Sequence, residues 1–334
     1  MMQRILIVGY GSIGKRHLSI ARDSFPSAEI KILSRKKTDY FPINSNGCLF
    51  TLDQVKEFKP EIAIIANPAN FHIETALFLA SLNCNLLIEK PLSNALSGID
   101  ELLHEVESRN LILQVGYNLV FLPSLQYFKD IIHSDRIGKI YSVRAEVGQY
   151  LPTWRPDADY RDTVSARSDL GGGALLELSH ELDYLRWIFG DVDWVHAFIA
   201  KQSDLDIDVE DMVHLVIGFK NFITSKPLIA SVDLDFIRQD RTRNCIVIGE
   251  KGSLRWDGIK GIVEVFLSSK NTWEVLYERE HQPNISYIEQ FKHFIKCIET
   301  GSNPLKTGRD GLAVLKIIEA ARISNENSSS KIQI

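Results

Sequence analysis

One short stretch near the N-terminus constrains the fold of this chain more than any other. The apolar run from Ile5 to Val8 is followed by Gly9, Gly11 and Gly14 in the spacing G-x-G-x-x-G. Four consecutive apolar residues indicate a buried strand. After such a strand, the first glycine permits a tight turn, the second lets the backbone approach a pyrophosphate, and the third lets helix and strand pack closely. The stretch therefore predicts a dinucleotide site rather than a glycine-rich turn without a ligand.

A helix is predicted directly after the glycines, over residues 17–22. A helix N-terminus carries unpaired N–H groups and a partial positive charge, which suit a pyrophosphate. We therefore assign Ser12 and Ile13 to cofactor binding together with the three glycines.

Beyond this turn, short apolar runs alternate with amphipathic stretches. The predicted strands are 29–33, 62–65, 85–88 and 111–115, and the predicted helices are 52–58, 74–82 and 97–108. Strands that alternate with helices form a doubly wound parallel sheet, whose ligands bind at the carboxyl edge. We expect an α/β fold with an N-terminal Rossmann domain over residues 1–120.

The end of the second strand bears on the choice of cofactor. An NAD site normally has an acidic residue about 20 positions after the glycines, where it holds the ribose 2′-hydroxyl. This chain has Ser34, Arg35 and Lys36 there instead. A hydroxyl and cations suit a 2′-phosphate, so NADP is favoured over NAD. The alternative is a solvated basic turn.

The second half of the chain has a different pattern, with strands that are not separated by helices. Eight strands are predicted, at 139–147, 192–200, 212–219, 228–236, 243–248, 253–256, 262–267 and 273–277. Such a run indicates a mostly antiparallel sheet. We expect an α+β substrate and oligomerisation domain at 121–305. Residues 306–334 are expected to form a C-terminal helix that packs back on the first domain, followed by a polar tail and a short strand.

Composition excludes several classes of protein. The net charge of −5 provides no basic surface for nucleic acid. No apolar run approaches the roughly 18 residues of a membrane span. The four cysteines are scattered without a C-x-x-C pair, and the N-terminus shows no signal-peptide pattern. We therefore expect a cytoplasmic protein without a metal site, and without nucleic-acid or membrane partners.

Five motifs in a fixed order resemble those of the Gfo/Idh/MocA family, which includes glucose–fructose oxidoreductase and inositol dehydrogenase. The motifs are the glycine turn with Arg16-His17, Asn67-Pro68 with His72, Glu89-Lys90-Pro91, Gly171-Gly172-Gly173 with His180-Glu181-Leu182-Asp183, and Gly308-Arg309-Asp310-Gly311-Leu312. The resemblance implies a Rossmann domain followed by a domain with a large open sheet. It also implies NAD(P)-dependent hydride transfer at a carbinol carbon, usually of a sugar. Asn67, Pro68, His72, Glu89 and Lys90 are assigned to the cofactor site.

Oxidation of an alcohol by a nicotinamide requires a base for the hydroxyl proton. Lys90 is one candidate, because it ends a parallel strand at the carboxyl edge and because the family places the lysine of this motif in the active site. It can act through a lowered pKa or by holding the substrate hydroxyl. Without the motif, a lysine is usually a solvated surface residue, and this is the alternative interpretation of Lys90.

His180 is the second candidate, on a helix predicted over residues 173–189. Glu177 and Asp183 lie three positions to either side, and either carboxylate can orient the imidazole and raise its basicity. We therefore assign catalytic roles to Lys90, His180, Glu177 and Asp183. The alternative is a structural histidine. The family often carries aspartate four residues before this histidine, where the chain has Leu176, so Glu177 is expected to replace it.

Two further segments are assigned to the substrate. Tyr117 and Asn118 precede Val120 and Leu122, near which related chains commonly have Arg and His. Trp154, Arg161 and Arg167 lie in a long segment without periodicity. Aromatic rings suit a sugar or base face, and arginines suit phosphate or carboxylate. With His180, these residues suggest a sugar or nucleotide-sugar. The segment 177–187 resembles family members associated with bacterial surface-sugar pathways, and the resemblance implies such a role. The alternatives are a non-sugar carbonyl or imine, or a cofactor-binding sensor without turnover.

An open sheet with helices on one face leaves the other face available for association. We expect a homodimer or homotetramer through this sheet, with Val232, Leu234 and Phe236 of one strand in the contact.

Overall fold

Two β-sheets of different kinds organise the chain, and each lies in its own unit. The computed structural model describes residues 4–34, 42–220, 227–280 and 282–334. Unit 1 comprises Met1–Asn118 and Ser286–Leu315, and unit 2 comprises Leu119–Ile285 and Lys316–Ile334.

The sheet of unit 1 is parallel throughout, with the strand order β3-β2-β1-β4-β5-β6 among the described residues. Its strands are β1 (Arg4–Val8), β2 (Glu29–Leu33), β3 (Cys48–Leu49), β4 (Ile62–Ile65), β5 (Asn85–Ile88) and β6 (Leu113–Val115). Its first four helices are α1 (Ser12–Ser24), α2 (Leu52–Phe58), α3 (His72–Ser81) and α4 (Ile99–Ser108). The order reverses at the β1–β4 pair, the switch point at which doubly wound sheets bind ligands. This confirms the predicted Rossmann fold.

The central strands read as continuous apolar runs because both of their faces are covered. Ile62 to Ile65 in β4 are completely buried, as are Leu86 to Ile88 in β5. The prediction was less accurate at the helix starts. Helix α1 begins at Ser12 and not at residue 17, because Gly11 is its N-cap and Ser12, Ile13 and Gly14 already form the first turn.

The sheet of unit 2 is mostly antiparallel, with the strand order β14-β13-β12-β11-β7-β10-β9-β8-β15. Its strands are β7 (Ile140–Gly148), β8 (Val192–Ala200), β9 (Met212–Phe219), β10 (Ile229–Asp235), β11 (Thr242–Gly249), β12 (Gly252–Asp257), β13 (Ile262–Leu267), β14 (Thr272–Glu278) and β15 (Ile332–Gln333). Only β7 and β10 run parallel among the described pairs. The predicted open sheet is therefore confirmed.

Three helices of unit 2 are α5 (Pro123–His133), α6 (Ala174–Glu177) and α7 (His180–Phe189). Trp256 on β12 fixes two of them, since its ring lies 6.3 Å from Phe128 of α5 and 5.5 Å from Tyr184 of α7. Its indole N–H also donates to the Ser124 hydroxyl at 3.0 Å. The buried tryptophan thus holds these helices on one face of the sheet.

The continuous helix predicted over residues 173–189 is wrong, because the structure ends α6 at Glu177 and begins α7 at His180. The Ser179 hydroxyl donates to the carbonyl of Leu176 at 2.8 Å. A serine side chain that bonds to the backbone competes with the helical hydrogen bonds. The apolar spacing therefore continues through a point at which the helix itself is interrupted.

The predicted contact residues Val232, Leu234 and Phe236 are also wrong, because all three are at most 1% exposed within the single chain. Strand side chains alternate between faces, and these point to the covered face. The open face carries Phe198, Val216 and Ile229, which are 50%, 40% and 42% exposed.

Two later helices are α8 (Ile285–Thr300) and α9 (Gly308–Glu326). Phe291 and Phe294 of α8 complete the core of unit 1 with Ile5, Ile7 and Ile30. The division between the units falls inside α9, after Leu315. The sequence placed residues 286–305 in the second domain, whereas this division places them in unit 1.

Candidate functional site

The glycine turn after β1 is shaped by close backbone contacts. Gly9 has φ +88°, a left-handed conformation that favours glycine, and a Cβ there would lie 2.8 Å from the Ala66 carbonyl oxygen. A Cβ on Gly14 would lie 2.1 Å from the Gly9 carbonyl oxygen. A Cβ on Gly11 would meet no described atom within 4 Å. The fold itself thus requires glycine at positions 9 and 14, whereas Gly11 faces open space.

The N-terminus of α1 provides what a pyrophosphate needs. Gly11 and Ser12 are exposed and Ile13 is half-buried. No side chain caps the helix, and its first turn contains no acidic residue. These features leave N–H donors and the positive end of the helix dipole available to an anion.

Of the three residues assigned to the ribose, only Ser34 lies in the described part of the chain. Its backbone N–H donates to the Leu49 carbonyl at 3.0 Å, which fixes the end of β2 beside β3. Arg35 and Lys36 lie outside the described residues.

The loop after β4 contains a buried amide with unused hydrogen-bonding capacity. Asn67 donates through Nδ2 to the Thr75 hydroxyl at 3.2 Å, whereas its Oδ1 is buried without a hydrogen-bond partner among the described residues. Pro68 follows with an extended backbone. A buried acceptor without a donor is costly, so this oxygen fits a donor group on a bound dinucleotide.

His72 lies on α3 with both ring nitrogens committed to backbone oxygens. Nδ1 is 2.9 Å from the Pro91 carbonyl and Nε2 is 2.8 Å from the Asn67 carbonyl. Burial lowers the pKa of His72 below its usual value of 6.5, against smaller opposing contributions from these carbonyls and from Glu89. The neutral ring carries one N–H, so one of the two contacts lacks a proton. His72 therefore links the loop after β4 to the loop after β5.

Glu89, Lys90 and Pro91 follow β5, with a cis peptide bond between Lys90 and Pro91. The Glu89 carboxylate is buried and accepts from His17 Nε2 at 2.6 Å and from the backbone N–H of Lys90 at 3.2 Å. Lys90 is half-buried. β1 and β5 flank β4 in parallel, so the glycine turn and Lys90 lie at the same edge, about 10 Å apart by strand spacing.

Tyr117 and Asn118 follow β6 and are both buried. The side-chain amide of Asn118 donates to the Ser286 hydroxyl at 2.8 Å, at the start of α8. The Asn118 amide is therefore used inside unit 1.

His180 is the first residue of α7 and is half-buried. Asp183 lies three residues later on the same helix and is 1% exposed. Glu177 belongs to α6, and its Oε2 accepts from the Ser165 hydroxyl at 3.0 Å. Because residues three apart share a helix face, Asp183 is better placed than Glu177 to orient His180.

Glu181 forms an ion pair that the sequence analysis missed. It is completely buried and accepts from Arg243 Nε of β11 at 2.8 Å. The two residues are 62 positions apart, so local sequence patterns carry no signal for the pair. It fixes the turn of α7 that carries His180 against the sheet.

The glycines before α6 leave room for Glu210. A Cβ on Gly173, whose φ is +103°, would lie 2.4 Å from Glu210 Oε1. That oxygen accepts from the Leu175 N–H at 2.9 Å. Burial, and to a lesser degree Asp211, raise the pKa of Glu210. The glycine motif thus has a packing role in unit 2.

The arginines assigned to the substrate are paired with nearby aspartates. Arg161 binds Asp159 through both carboxylate oxygens, and Arg167 binds Asp169 at 2.9 Å. All four side chains are exposed. Trp154 packs edge-on against Phe236 at 5.1 Å and donates to the Gln149 carbonyl. Of this set, Trp154 is fixed on unit 2, and the two arginines are held by their own loop.

Within the described ranges, no group of three or more His, Cys, Asp and Glu side chains could hold a metal ion. No helix in this part of the chain is long and apolar enough to span a membrane.

Comparison with known proteins decides the family. A family model described as an oxidoreductase family with an NAD-binding Rossmann fold matches residues 3–117. A model of the GFO/IDH/MocA C-terminal domain matches residues 125–255. The chain belongs to the GFO/IDH/MocA oxidoreductase family. As a GFO/IDH/MocA member it is an oxidoreductase, which confirms the predicted family and the predicted enzyme class.

Two GFO/IDH/MocA relatives share about a quarter of their aligned residues with this chain. Myo-inositol 2-dehydrogenase of Thermotoga maritima is 27% identical over 286 residues, which cover 81% of this chain and 79% of that protein. Rhizopine catabolism protein MocA of Rhizobium meliloti is 26% identical over 191 residues, 56% of this chain and 57% of that protein.

Solved GFO/IDH/MocA-like structures share the fold. Levoglucosan dehydrogenase in complex with NADH and levoglucosan superposes with a TM-score of 0.84 at 18% identity, covering 99% of both chains. The WlbA dehydrogenase of Bordetella pertussis, in complex with NADH and UDP-GlcNAcA, gives 0.79 at 20% identity and covers 100% of this chain and 99% of that one. At these identities the likeness establishes the fold.

Proposed function

We propose that this protein oxidises a carbinol carbon of a sugar or nucleotide-sugar, or reduces the corresponding carbonyl, with NADP or NAD as the hydride carrier. The observation that carries the proposal is the shared edge of unit 1. The open glycine turn, the uncapped start of α1 and Lys90 all lie at the carboxyl ends of parallel strands. Relatives named as inositol and glucose-6-phosphate dehydrogenases support a polyol or sugar.

Four residues of unit 1 would hold the dinucleotide. Gly11, Ser12 and Ile13 present N–H groups to the pyrophosphate, and Asn67 Oδ1 accepts from the dinucleotide. When bound, the nicotinamide accepts the hydride from the substrate carbon. The remaining steps belong to side chains of the protein.

We assign two separate roles to Lys90 and His180. Oxidation breaks the C–H and O–H bonds of the alcohol, so that the hydride leaves to the cofactor and the proton leaves to a base. His180 is the base, because imidazole ordinarily titrates near neutral pH, and Asp183 orients it. The Lys90 ammonium holds the substrate oxygen and stabilises its developing negative charge.

The test is a nicotinamide absorbance screen of neutral sugars, phosphorylated sugars and nucleotide-sugars with both cofactors. With the best substrate, Lys90→Met and His180→Ala should each lower kcat about 100-fold or more, the size of a general acid–base contribution. Both variants should bind NADH normally. His180→Ala should also remove a near-neutral titration from the rate profile, which Lys90→Met should retain.

Matched controls separate these roles from general damage. Lys56→Met removes an exposed lysine of unit 1, and His133→Ala removes an exposed histidine at the end of α5 in unit 2. Both should leave kcat unchanged. NADH binding without turnover of any compound would favour the sensor alternative, and full activity of either active-site variant would refute its assigned role.

We also propose a preference for NADP, supported by the absence of an acid at Ser34 to Lys36. Fluorescence titration should show tighter binding of NADPH than of NADH, and Arg35→Asp should reverse the order. Tighter NADH binding by the unaltered protein would contradict the proposal.

For assembly, we propose a homodimer or homotetramer through the open face of the unit 2 sheet. Phe198 and Ile229 are large apolar side chains that are at least 42% exposed on this face. Light scattering should show an oligomer at micromolar concentration, and Phe198→Lys with Ile229→Asp should dissociate it. A monomeric parent protein would refute the assignment.

A role in bacterial surface-sugar metabolism inside the cytoplasm remains part of the proposal. It is supported by the UDP-GlcNAcA complex of the similar WlbA fold. Turnover confined to neutral free sugars in the screen would contradict it.

A further inference from the structure

Glu89 lies at the carboxyl edge of the unit 1 sheet, between His17 of α1 and the backbone of Lys90. Its side chain is 9% exposed, and the His17 side chain that it contacts is completely buried. One carboxylate oxygen accepts from His17 Nε2 at 2.6 Å, and the other accepts from the Lys90 backbone N–H at 3.2 Å. Both oxygens are therefore used inside the protein, which differs from the cofactor contact expected from the motif.

His17 connects this carboxylate to the glycine turn. It lies on α1, whose first turn carries the N–H groups for the pyrophosphate. A carboxylate oxygen accepts hydrogen bonds, so we assign His17 Nε2 as the donor to Glu89. The edge of the ring packs against Tyr287 of α8 at 5.7 Å. The imidazole is thereby fixed from two sides.

Gly116 restricts the other side of Glu89. A Cβ at this position would lie 2.9 Å from both the Cα and Oε2 of Glu89. The Gly116 N–H donates to the Ile88 carbonyl at 2.7 Å, which holds it beside the end of β5. The backbone after β6 therefore touches the carboxylate closely, and Glu89 has little room for another rotamer.

We infer that Glu89 is a positioning residue for Lys90, and that the His17–Glu89 hydrogen bond couples the pyrophosphate-binding helix to that lysine. The inference rests on the proposed role of Lys90 in catalysis. A small displacement of a reacting group by about 1 Å can cost on the order of 100-fold in rate. A carboxylate that fixes the lysine backbone while bound to α1 provides that alignment.

The isosteric variant Glu89→Gln tests the two hydrogen bonds that Glu89 accepts, from His17 and from the Lys90 N–H. Glutamate offers an acceptor to each of two donors, His17 Nε2–H and the Lys90 N–H. Glutamine has one acceptor and one donor end, so it keeps both contacts only if the His17 proton moves to Nδ1, a buried atom without a hydrogen-bond partner among the described residues. The variant should lower kcat about 10- to 100-fold while the NADH dissociation constant stays within about twofold.

His17, which donates to Glu89, provides a second test through a pair of variants. His17→Gln places an amide donor near the same position, whereas His17→Leu removes the donor. His17→Gln should retain most of kcat, and His17→Leu should match Glu89→Gln. A merely structural role would separate these two variants in Tm and not in the kcat of the folded protein.

A substrate-independent readout uses acetic anhydride as the probe of lysine amines. Peptide mass spectrometry should show a changed acetylation rate at Lys90 in Glu89→Gln, and an unchanged rate at the exposed Lys56. Gln114→Leu is the matched control, because it removes another completely buried hydrogen bond of unit 1, from Nε2 to the Gln290 carbonyl. It should lower thermal stability without altering Lys90.

The outcomes separate this inference from the proposed function. If Lys90→Met is inactive but Glu89→Gln has normal kcat and normal Lys90 acetylation, the positioning role is refuted alone. If Lys90→Met is fully active, the proposed role of the lysine is refuted, and the acetylation rates still decide whether Glu89 positions it.

Discussion

Two glycines three positions apart should respond to the same substitution in opposite ways. Gly14→Ala places a methyl group 2.1 Å from the Gly9 carbonyl oxygen, whereas Gly11→Ala places one where no described atom lies within 4 Å. Gly11 has φ −74°, which alanine adopts without strain. Gly14→Ala should therefore destabilise the fold, whereas Gly11→Ala should weaken cofactor binding and leave the fold intact.

The size of each effect follows from the contacts. Overpacking costs about 1–3 kcal/mol, and a backbone oxygen cannot move aside as a flexible side chain can, so about 3 kcal/mol applies to Gly14→Ala. Alanine recovers about 1 kcal/mol in helix propensity. The net loss of about 2 kcal/mol corresponds to a fall in Tm of about 4–8 °C.

Gly11→Ala should be neutral or stabilising by about 0.4–1 kcal/mol, because alanine restricts the unfolded chain. Its methyl group takes the space in which the backbone approaches the pyrophosphate. Loss of one charge-assisted hydrogen bond, about 1.5–3 kcal/mol, weakens NADH binding about 10- to 150-fold.

Thermal unfolding and NADH fluorescence titration of both variants measure these quantities directly. The expected result is a stable Gly11→Ala protein with weak NADH binding and an unstable Gly14→Ala protein. Unchanged NADH affinity in Gly11→Ala would refute the proposed location of the pyrophosphate. A Gly14→Ala protein as stable as the parent would refute the packing argument.

Three further predictions concern buried titratable and charged side chains. Because burial lowers the pKa of His72, the unfolded chain takes up the proton first, so stability should fall as pH drops below about 6.5; His72→Asn should flatten this slope in pH-dependent thermal unfolding. Because burial raises the pKa of Glu210, its contribution to stability falls as pH rises through its ordinary value and stays unfavourable at neutral pH; Glu210→Gln should raise Tm at pH 7 and lose this advantage in acid. Arg243→Met should cost about 3–5 kcal/mol because the completely buried Glu181 loses its ion pair with the guanidinium, and adding Glu181→Leu should recover most of that loss in denaturant unfolding.

The sequence was most informative where a pattern had a single physical solution. The bounds of β2, β4 and β5 were predicted correctly, because short apolar runs between turns have few other interpretations. Helix α5 was missed although Pro123 at its first position and Leu125, Phe128 and Ile132 at helical spacing signalled it.

Other features depend on partners that are distant in sequence. The contact of His17 with Glu89 joins residues 72 positions apart, and no periodicity reveals it. The covered face of β10 could not be chosen from alternation alone, since period two gives two faces without saying which one the helices occupy. The structure was needed to place Val232, Leu234 and Phe236 inside.

The discontinuity of unit 1 has a consequence for synthesis on the ribosome. Its sheet is complete at Asn118, but α8, which supplies Phe291 and Phe294 to the core, belongs to a segment that resumes only at Ser286. At about 5–20 residues per second, the apolar surface around Ile5 and Ile7 waits roughly 10–30 s for its cover. The nascent chain therefore presents this apolar surface throughout the translation of unit 2, and a protein truncated after residue 118 would retain it permanently.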